Sequence, residues 1–208
     1  LKPKTALILL NGEMRDAKPV RAAARLADAV ICADGGARHA ALLRLIPDFI
    51  VGDMDSLPSG TAARSGITFI YDADQTRSDL DKALDLARRL GVKRAFVAAA
   101  RGGGLDHELV NFAALEESAK GLDLTVIDGG VARLLGPGRH ALALKKGARF
   151  SLLAAPRARL SLSGARFGLK NELLRRGSRG LGNRAEGRVV LTVREGRVWA
   201  IDAAPFRG

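Results

Sequence analysis

A chain of 208 residues with 47% hydrophobic and 27% charged side chains can bury a full core, and its composition is that of a globular rather than a disordered protein. No apolar run approaches the roughly 18 to 20 residues that a membrane-crossing helix needs, and the single cysteine, Cys32, excludes an intramolecular disulfide and a cysteine-based zinc site. The net charge of +12 is uneven: residues 1–128 hold 17 basic and 18 acidic side chains, whereas residues 129–208 hold 17 and 4, which places a boundary near Gly129-Gly130.

The basic start Leu1-Lys-Pro-Lys-Thr5 leads into Ala6–Leu10, too short for a signal peptide, so it reads as a first strand of a cytoplasmic protein. Further short apolar runs predict strands over Ala29–Ala33, Phe49–Val51, Thr68–Tyr71, Ala95–Ala99 and Leu124–Ile127. Between them, helical periods predict helices over Pro19–Ala27, Ala37–Leu45, Asp79–Leu90 and His107–Ala119, with Pro19 in a first turn and Gly91 and Gly121 as C-caps. Strand alternating with helix implies crossovers and a parallel sheet, which binds ligands at the carboxyl ends of its strands. After Gly130 the texture changes to short segments punctuated by Gly and Pro. Strands are expected over Ala132–Leu135, Arg139–Leu144, Arg149–Ala154, Ala158–Leu162, Arg188–Val193 and Arg197–Ile201, with a tight hairpin at Val193–Val198 and one helix at Leu169–Arg176. The fold class is therefore α/β: an N-terminal domain over 1–129 with a Rossmann-like parallel sheet flanked by helices, and an all-β sandwich or barrel over 130–208.

The aspartates stand where apolar runs stop. Ala29–Ala33 ends at Asp34-Gly35-Gly36, and Phe49–Gly52 ends at Asp53-Met54-Asp55-Ser56. Two carboxylates one residue apart at a strand end either hold a hard cation such as Mg²⁺ together with substrate phosphates, Gly52 freeing the backbone between them, or cap the turn and short helix that follow. The Gly35-Gly36 pair either brings backbone N–H groups toward a phosphate or serves close packing alone. In Asp74-Gln-Thr-Arg-Ser-Asp79-x-x-Lys82, Ser78 suits an N-cap and Asp79 a first turn. Asp79 and Lys82 then form either a surface ion pair or a metal ligand beside a phosphate-neutralising ammonium. Arg101-Gly-Gly-Gly-Leu-Asp106-His107 reads as a phosphate cradle, or as a loop ending in a helix cap. Cys32 reads as a buried, inert thiol, and His39 and His140 receive no role. The basic second half suits nucleic acid, an acidic membrane surface or a polyphosphate, or only solvated strand faces. Few aromatics and no binding motif count against nucleic acid.

With these pieces in order the chain resembles the thiamine pyrophosphokinase family. The matching segments are Ala33-Asp-Gly-Gly-Ala37, Pro47-Asp-Phe-Ile-Val-Gly-Asp-Met-Asp-Ser56, Asp74-Gln-x-x-Ser-Asp-x-x-Lys-Ala83 and Gly102-Gly-x-x-Asp-His107, with a fainter one at Arg179-Gly-Leu-Gly-Asn183. The resemblance implies Mg²⁺-dependent transfer of pyrophosphate from ATP to the thiamine hydroxyl, releasing AMP, in a homodimer with thiamine bound near the interface. It implies Asp53, Asp55 and Asp79 as metal ligands with Asp34 beside them, and Asp79, Lys82 and Asp55 as the catalytic set. The nucleotide falls to Asp34, Gly35, Gly36, Arg101, Gly102, Gly103, Asp106 and His107, and the acceptor to Gln75, Asp79, Gly182 and Asn183. Two departures stand out. Gly104 occupies the place of a family arginine, which Arg101 is expected to supply, and Gly182 that of a family serine. The rival readings are a pyrophosphokinase for another hydroxymethyl heterocycle, such as a pterin, and a non-catalytic basic nucleotide or nucleic-acid binder.

Overall fold

The six apolar runs of the first half form six parallel strands in the computed structural model of the chain, which describes residues 2–61, 65–118, 121–202 and 206. They are β1 (Thr5–Leu9), β2 (Ala29–Ala33), β3 (Phe49–Gly52), β4 (Thr68–Tyr71), β5 (Arg94–Ala98) and β6 (Asp123–Ile127). Every residue of β2 is buried, which accounts for its uninterrupted apolar sequence: a strand inside a parallel sheet has no solvent face to alternate toward. The spatial order is β4-β3-β2-β1-β5-β6. The chain thus lays β2, β3 and β4 outward on one side of β1, then crosses to β5 on the other. Such a reversal opens a crevice at the carboxyl ends of the strands.

Among the described residues the connecting helices are α1 (Ala17–Ala24), α2 (Ala37–Leu43), α3 (Asp79–Leu90) and α4 (Leu105–Ser118). Asp16 caps α1 through the Lys18 N–H at 2.9 Å, with Pro19 in the first turn, where its missing N–H costs nothing. Ser78 caps α3 in a capping box with Asp81, and Gly91 ends that helix with φ 87°. α1 and α2 stop two or three residues short of their expected ends; Arg44 closes α2 in the left-handed region, φ 57°. The expected end of α4 at Ala119 lies outside the described residues, as do the two residues before the expected cap Gly121. The core gathers Leu7, Leu9, Ile50 and Phe96 with Cys32, and Phe206 joins Phe96 edge-on at 5.1 Å between ring centres. Burial pushes the Cys32 thiol up to about 12.

The chain divides into two compact units after Gly129, and Phe206 belongs to the first of them. The regular elements of the second unit are all strands among the described residues: β7 (Val131–Leu135), β8 (Gly138–Leu142), β9 (Arg149–Ala165), β10 (Leu169–Arg175) and β11 (Asn183–Asp202). β9 lies between β10 and β11, and β11 also pairs with β7 and β8. Phe150 is in register with both Asn183 and Asp202, so β11 curls round the start of β9. Leu152, Leu160, Leu191 and Val198 form its core.

Three expectations are corrected here. The helix expected over Leu169–Arg176 is strand β10, because its backbone completes the edge of β9; Asn171, at φ 49°, marks the irregularity in that pairing. The segments Arg149–Ala154 and Ala158–Leu162 are one continuous strand, β9. The hairpin expected at Val193–Val198 is also absent, and β11 runs straight through it. Gly196 is a place of close approach rather than a turn: a Cβ there would stand 2.0 Å from the Arg157 carbonyl oxygen.

Candidate functional site

A cavity of about 420 Å³ opens in the first unit where β1, β2, β3 and β5 end and α3 and α4 begin. From β2 it receives Asp34, which starts a 3-10 turn with φ 40°, a conformation that aspartate tolerates better than most side chains. Asp34 is 2% exposed. Its Oδ2 accepts the Ser56 N–H at 3.2 Å, while its Oδ1 is buried without a partner. Burial, reinforced by Asp79, Asp55 and Asp53, holds its carboxyl above the ordinary range.

The glycines beside it are explained by packing. A Cβ on Gly36 would fall 2.0 Å from the Leu9 carbonyl oxygen, and one on Gly35 would strike the Asn11 side chain at 2.4 Å. Gly52 likewise makes room for Asp34, whose Cβ lies 2.8 Å from the position a side chain would need. The backbone reversal between Asp53 and Asp55 is carried by Met54, at φ 66°, and not by Gly52.

Through that reversal Asp53 and Asp55 join Asp34, and the three offer carboxylate oxygens within 4.8 Å of one another. Gln75 donates to Asp53 Oδ2 at 2.9 Å and holds that carboxyl below its usual range. Ser56 Oγ donates to Asp55 at 2.8 Å. Asp79 lies on the same wall but is engaged with Lys82, 3.4 Å away. Lys82 is 2% exposed and donates to the Asp72 carbonyl at 2.8 Å, so the pair is no surface ion pair. Burial raises the Asp79 carboxyl, against the pull of Lys82.

From β5 and α4 come Gly102, Gly103 and His107. Arg101 is not on the cavity wall; its Nε lies 3.9 Å from Glu108 Oε2. Asp106 falls in the first turn of α4, and a Cβ on Gly104 would meet its Oδ1 at 2.5 Å, so a side chain at Gly104 would require the exposed Asp106 carboxylate to turn aside.

Gly182 and Asn183 belong to the second unit. There a separate cavity of about 380 Å³ is lined by Phe167, Arg179, Leu181 and Asn183 among others. Asn183 is buried and engaged at both ends of its amide: its Oδ1 accepts the Phe167 and Arg184 N–H groups, and its Nδ2 donates to the Phe167 carbonyl at 2.9 Å. Gly182 donates its N–H to Ser151 Oγ at 3.1 Å.

Sequence reasoning missed Asn11, Gly12, Ser56, Arg77 and Asn111, all on the wall of the first cavity. Asn11-Gly12 carried a readable signal, since it follows an apolar run just as Asp34 and Asp53 do. His39 also proves to be placed: its Nε2 lies 2.8 Å from the Gly12 carbonyl, and Arg38 donates to the Asn11 and Gly12 carbonyls, fixing that turn from α2.

A family model described as the catalytic domain of thiamin pyrophosphokinase matches residues 20–127, more than half of the chain. Among curated proteins no sequence matches. Among solved structures, the thiamine pyrophosphokinase of Bacillus subtilis aligns with a TM-score of 0.80 at 22% identity, over 96% of this chain and 98% of that one. The Candida albicans enzyme aligns with a TM-score of 0.76 at 18% identity over 96% and 88%, and the yeast enzyme with 0.75 at 14% over 97% and 87%. At these identities the likeness concerns the fold, whereas the family model covers the strand ends and the cavity residues from Ala33 to Asn111; the chain belongs to the thiamin pyrophosphokinase family.

Proposed function

We propose that this enzyme transfers pyrophosphate from ATP to the hydroxyl of thiamine, giving thiamine diphosphate and AMP, with Mg²⁺ as its metal. The observation that carries the reading is the convergence of Asp34, Asp53 and Asp55 within 4.8 Å, with one buried oxygen of Asp34 lacking any donor. An anionic oxygen so placed is costly unless a cation or proton answers it, and a hard cation accepts such oxygens together with those of phosphates. Asp53, Asp55 and Asp79 would hold the Mg²⁺, with Asp34 beside them. When bound, the ion neutralises charge on the polyphosphate.

The chain's own residues align and stabilise. Lys82, buried on the same wall, adds a fixed positive charge, and Gly102, Gly103 and His107 border the nucleotide with Asp34, whereas Gly35, Gly36 and Asp106, which the resemblance adds, are not on the cavity wall. The thiamine oxygen bonds to the β-phosphorus as the bond from that phosphorus to the bridging oxygen breaks, and AMP leaves with that oxygen. Asp79, Lys82 and Asp55 are read as the catalytic set, and the hydroxyl proton leaves to solvent as the new bond to phosphorus forms. Gln75, Gly182 and Asn183 are read as acceptor-side residues of a cytoplasmic homodimer, with the first unit Rossmann-like and the second a β-sandwich. Support for these assignments is the motif resemblance.

Incubation with ATP, Mg²⁺ and thiamine tests the reading, and equal amounts of AMP and thiamine diphosphate are expected. AMP with a pterin alcohol but not with thiamine supports a different acceptor, and no AMP with any acceptor supports a non-catalytic binder. Sizing chromatography tests the dimer.

A further inference from the structure

The triple glycine after β5 is held from three sides before any ligand arrives. Glu108, in the first turn of α4, accepts the Gly102 N–H on its Oε1 at 2.8 Å. Asp128, just after β6, accepts the Arg101 N–H at 3.1 Å. The Arg101 carbonyl receives the Glu13 N–H, and the Ala100 carbonyl receives the Asn111 side chain. The two cavity-facing glycines therefore differ. Gly102 is spent: its N–H is occupied, and a Cβ on it would strike Glu13 Cγ at 2.7 Å. Gly103 is open: a Cβ on it meets nothing within 4 Å, and among the described residues its N–H has no hydrogen-bond partner.

We propose that Glu108 is a positioning residue for nucleotide binding. By capturing the Gly102 N–H it fixes the loop at its left-handed φ values, 87° at Gly102 and 86° at Gly103, and leaves Gly103 as the N–H that meets the donor phosphates. Arg101, 3.9 Å from the same carboxylate, then serves as the counterion of Glu108 and keeps a negative charge beside the cavity from repelling a polyphosphate. This replaces the expectation that the Arg101 guanidinium reads the nucleotide itself. The inference rests on the nucleotide-binding part of the proposed function and is independent of which acceptor is used.

The test is calorimetric binding of a non-hydrolysable ATP analogue with Mg²⁺ to the full chain and two variants. Glu108→Asp keeps the charge but is one methylene too short to reach Gly102; Glu108→Gln keeps the length and an acceptor oxygen. Glu108→Asp is expected to bind the analogue about tenfold more weakly and to raise KM for ATP alike, with KM for the acceptor unchanged, while Glu108→Gln restores affinity to near the original. Equal affinity in all three proteins overturns the inference and leaves the nucleotide reading standing. A loss in Glu108→Gln but not in Glu108→Asp also overturns it, because then charge rather than the hydrogen bond is at work, and so does an equal loss in both or a change only in melting temperature, because then folding is. No binding by the unsubstituted chain overturns the nucleotide reading itself, and the inference with it.

Discussion

At the scale of single residues, Asp34 sets folding against chemistry. A buried carboxylate with one oxygen lacking a donor is unfavourable in the free protein, and the same oxygen is what a cation would use. Asp34→Asn is expected to lower turnover by about 10²-fold or more while raising the melting temperature in magnesium-free buffer at neutral pH; kinetics and melting curves on one preparation check both. Lys82 carries no such conflict, because its ammonium is already answered by Asp72 and Asp79. Lys82→Met should therefore lose both stability and about 10²-fold in turnover.

Two aspartates away from the carboxylate cluster report pH in opposite directions. Burial holds the Asp128 carboxyl above its ordinary value against the Arg101 guanidinium, so its favourable share of stability is complete below about pH 4 and is lost as pH rises through the raised folded-state value. The N–H groups of Thr5 and Lys4 hold Asp28 low, so its share is present above that range and is lost as pH falls through the lowered value. Melting curves across acid to neutral pH should show Asp128→Asn gaining on the unsubstituted protein as pH rises. Asp28→Ala should fall behind at neutral pH, with the gap closing in acid.

At the scale of elements, local chemistry and tertiary contact divide the work differently in the two units. α3 is set by its own sequence: the Ser78 and Asp81 capping box starts it, and Gly91 ends it. Ser78→Ala should cost about 1 kcal/mol of stability, read by chemical denaturation, and should reduce activity as well because the cap sets where Asp79 and Lys82 begin. β10 and β11 are instead set by their partners. Leu169–Arg175 is rich in side chains that favour helices, yet it is a strand because β9 offers an edge whose hydrogen bonds a helix would leave unmade. Glu195-Gly196 has the composition of a turn, yet the glycine is there because no Cβ fits 2.0 Å from a carbonyl oxygen. Gly196→Ala should destabilise the second unit by about 1–3 kcal/mol, a loss that a surface turn would not show.

At the scale of the whole molecule, charge is partitioned as the chain is: the first unit is near balance, and the basic excess lies beyond Gly129. A field of that sign draws an anionic nucleotide, and salt shortens its reach to a Debye length of about 8 Å at physiological ionic strength. KM for ATP is expected to rise with added salt while KM for a cationic acceptor stays flat or falls, which steady-state kinetics at several ionic strengths will show. Among the described residues no helix is long and apolar enough to cross a membrane.

What the amino-acid sequence by itself determined is the alternating first unit, the strand-end placement of Asp34, Asp53, Asp55 and Gly102, and the start of α3 at Asp79. These features are local: an apolar run, a cap or a glycine declares itself within a few residues. Tertiary structure alone decided that Asp34 joins Asp53 and Asp55 most closely while Asp79 is engaged by Lys82, that Met54 makes the turn between the carboxylates, and that Glu108 and Asp128 hold the glycine loop. It also decided that Asn183 is consumed by Phe167 and that the second unit is built on two long strands. Most of these depend on which groups meet across strands or loops distant in sequence, and spacing along a chain carries no information about that meeting; Asp79 and Lys82 are three residues apart, and there the fold decided only that Lys82 is buried.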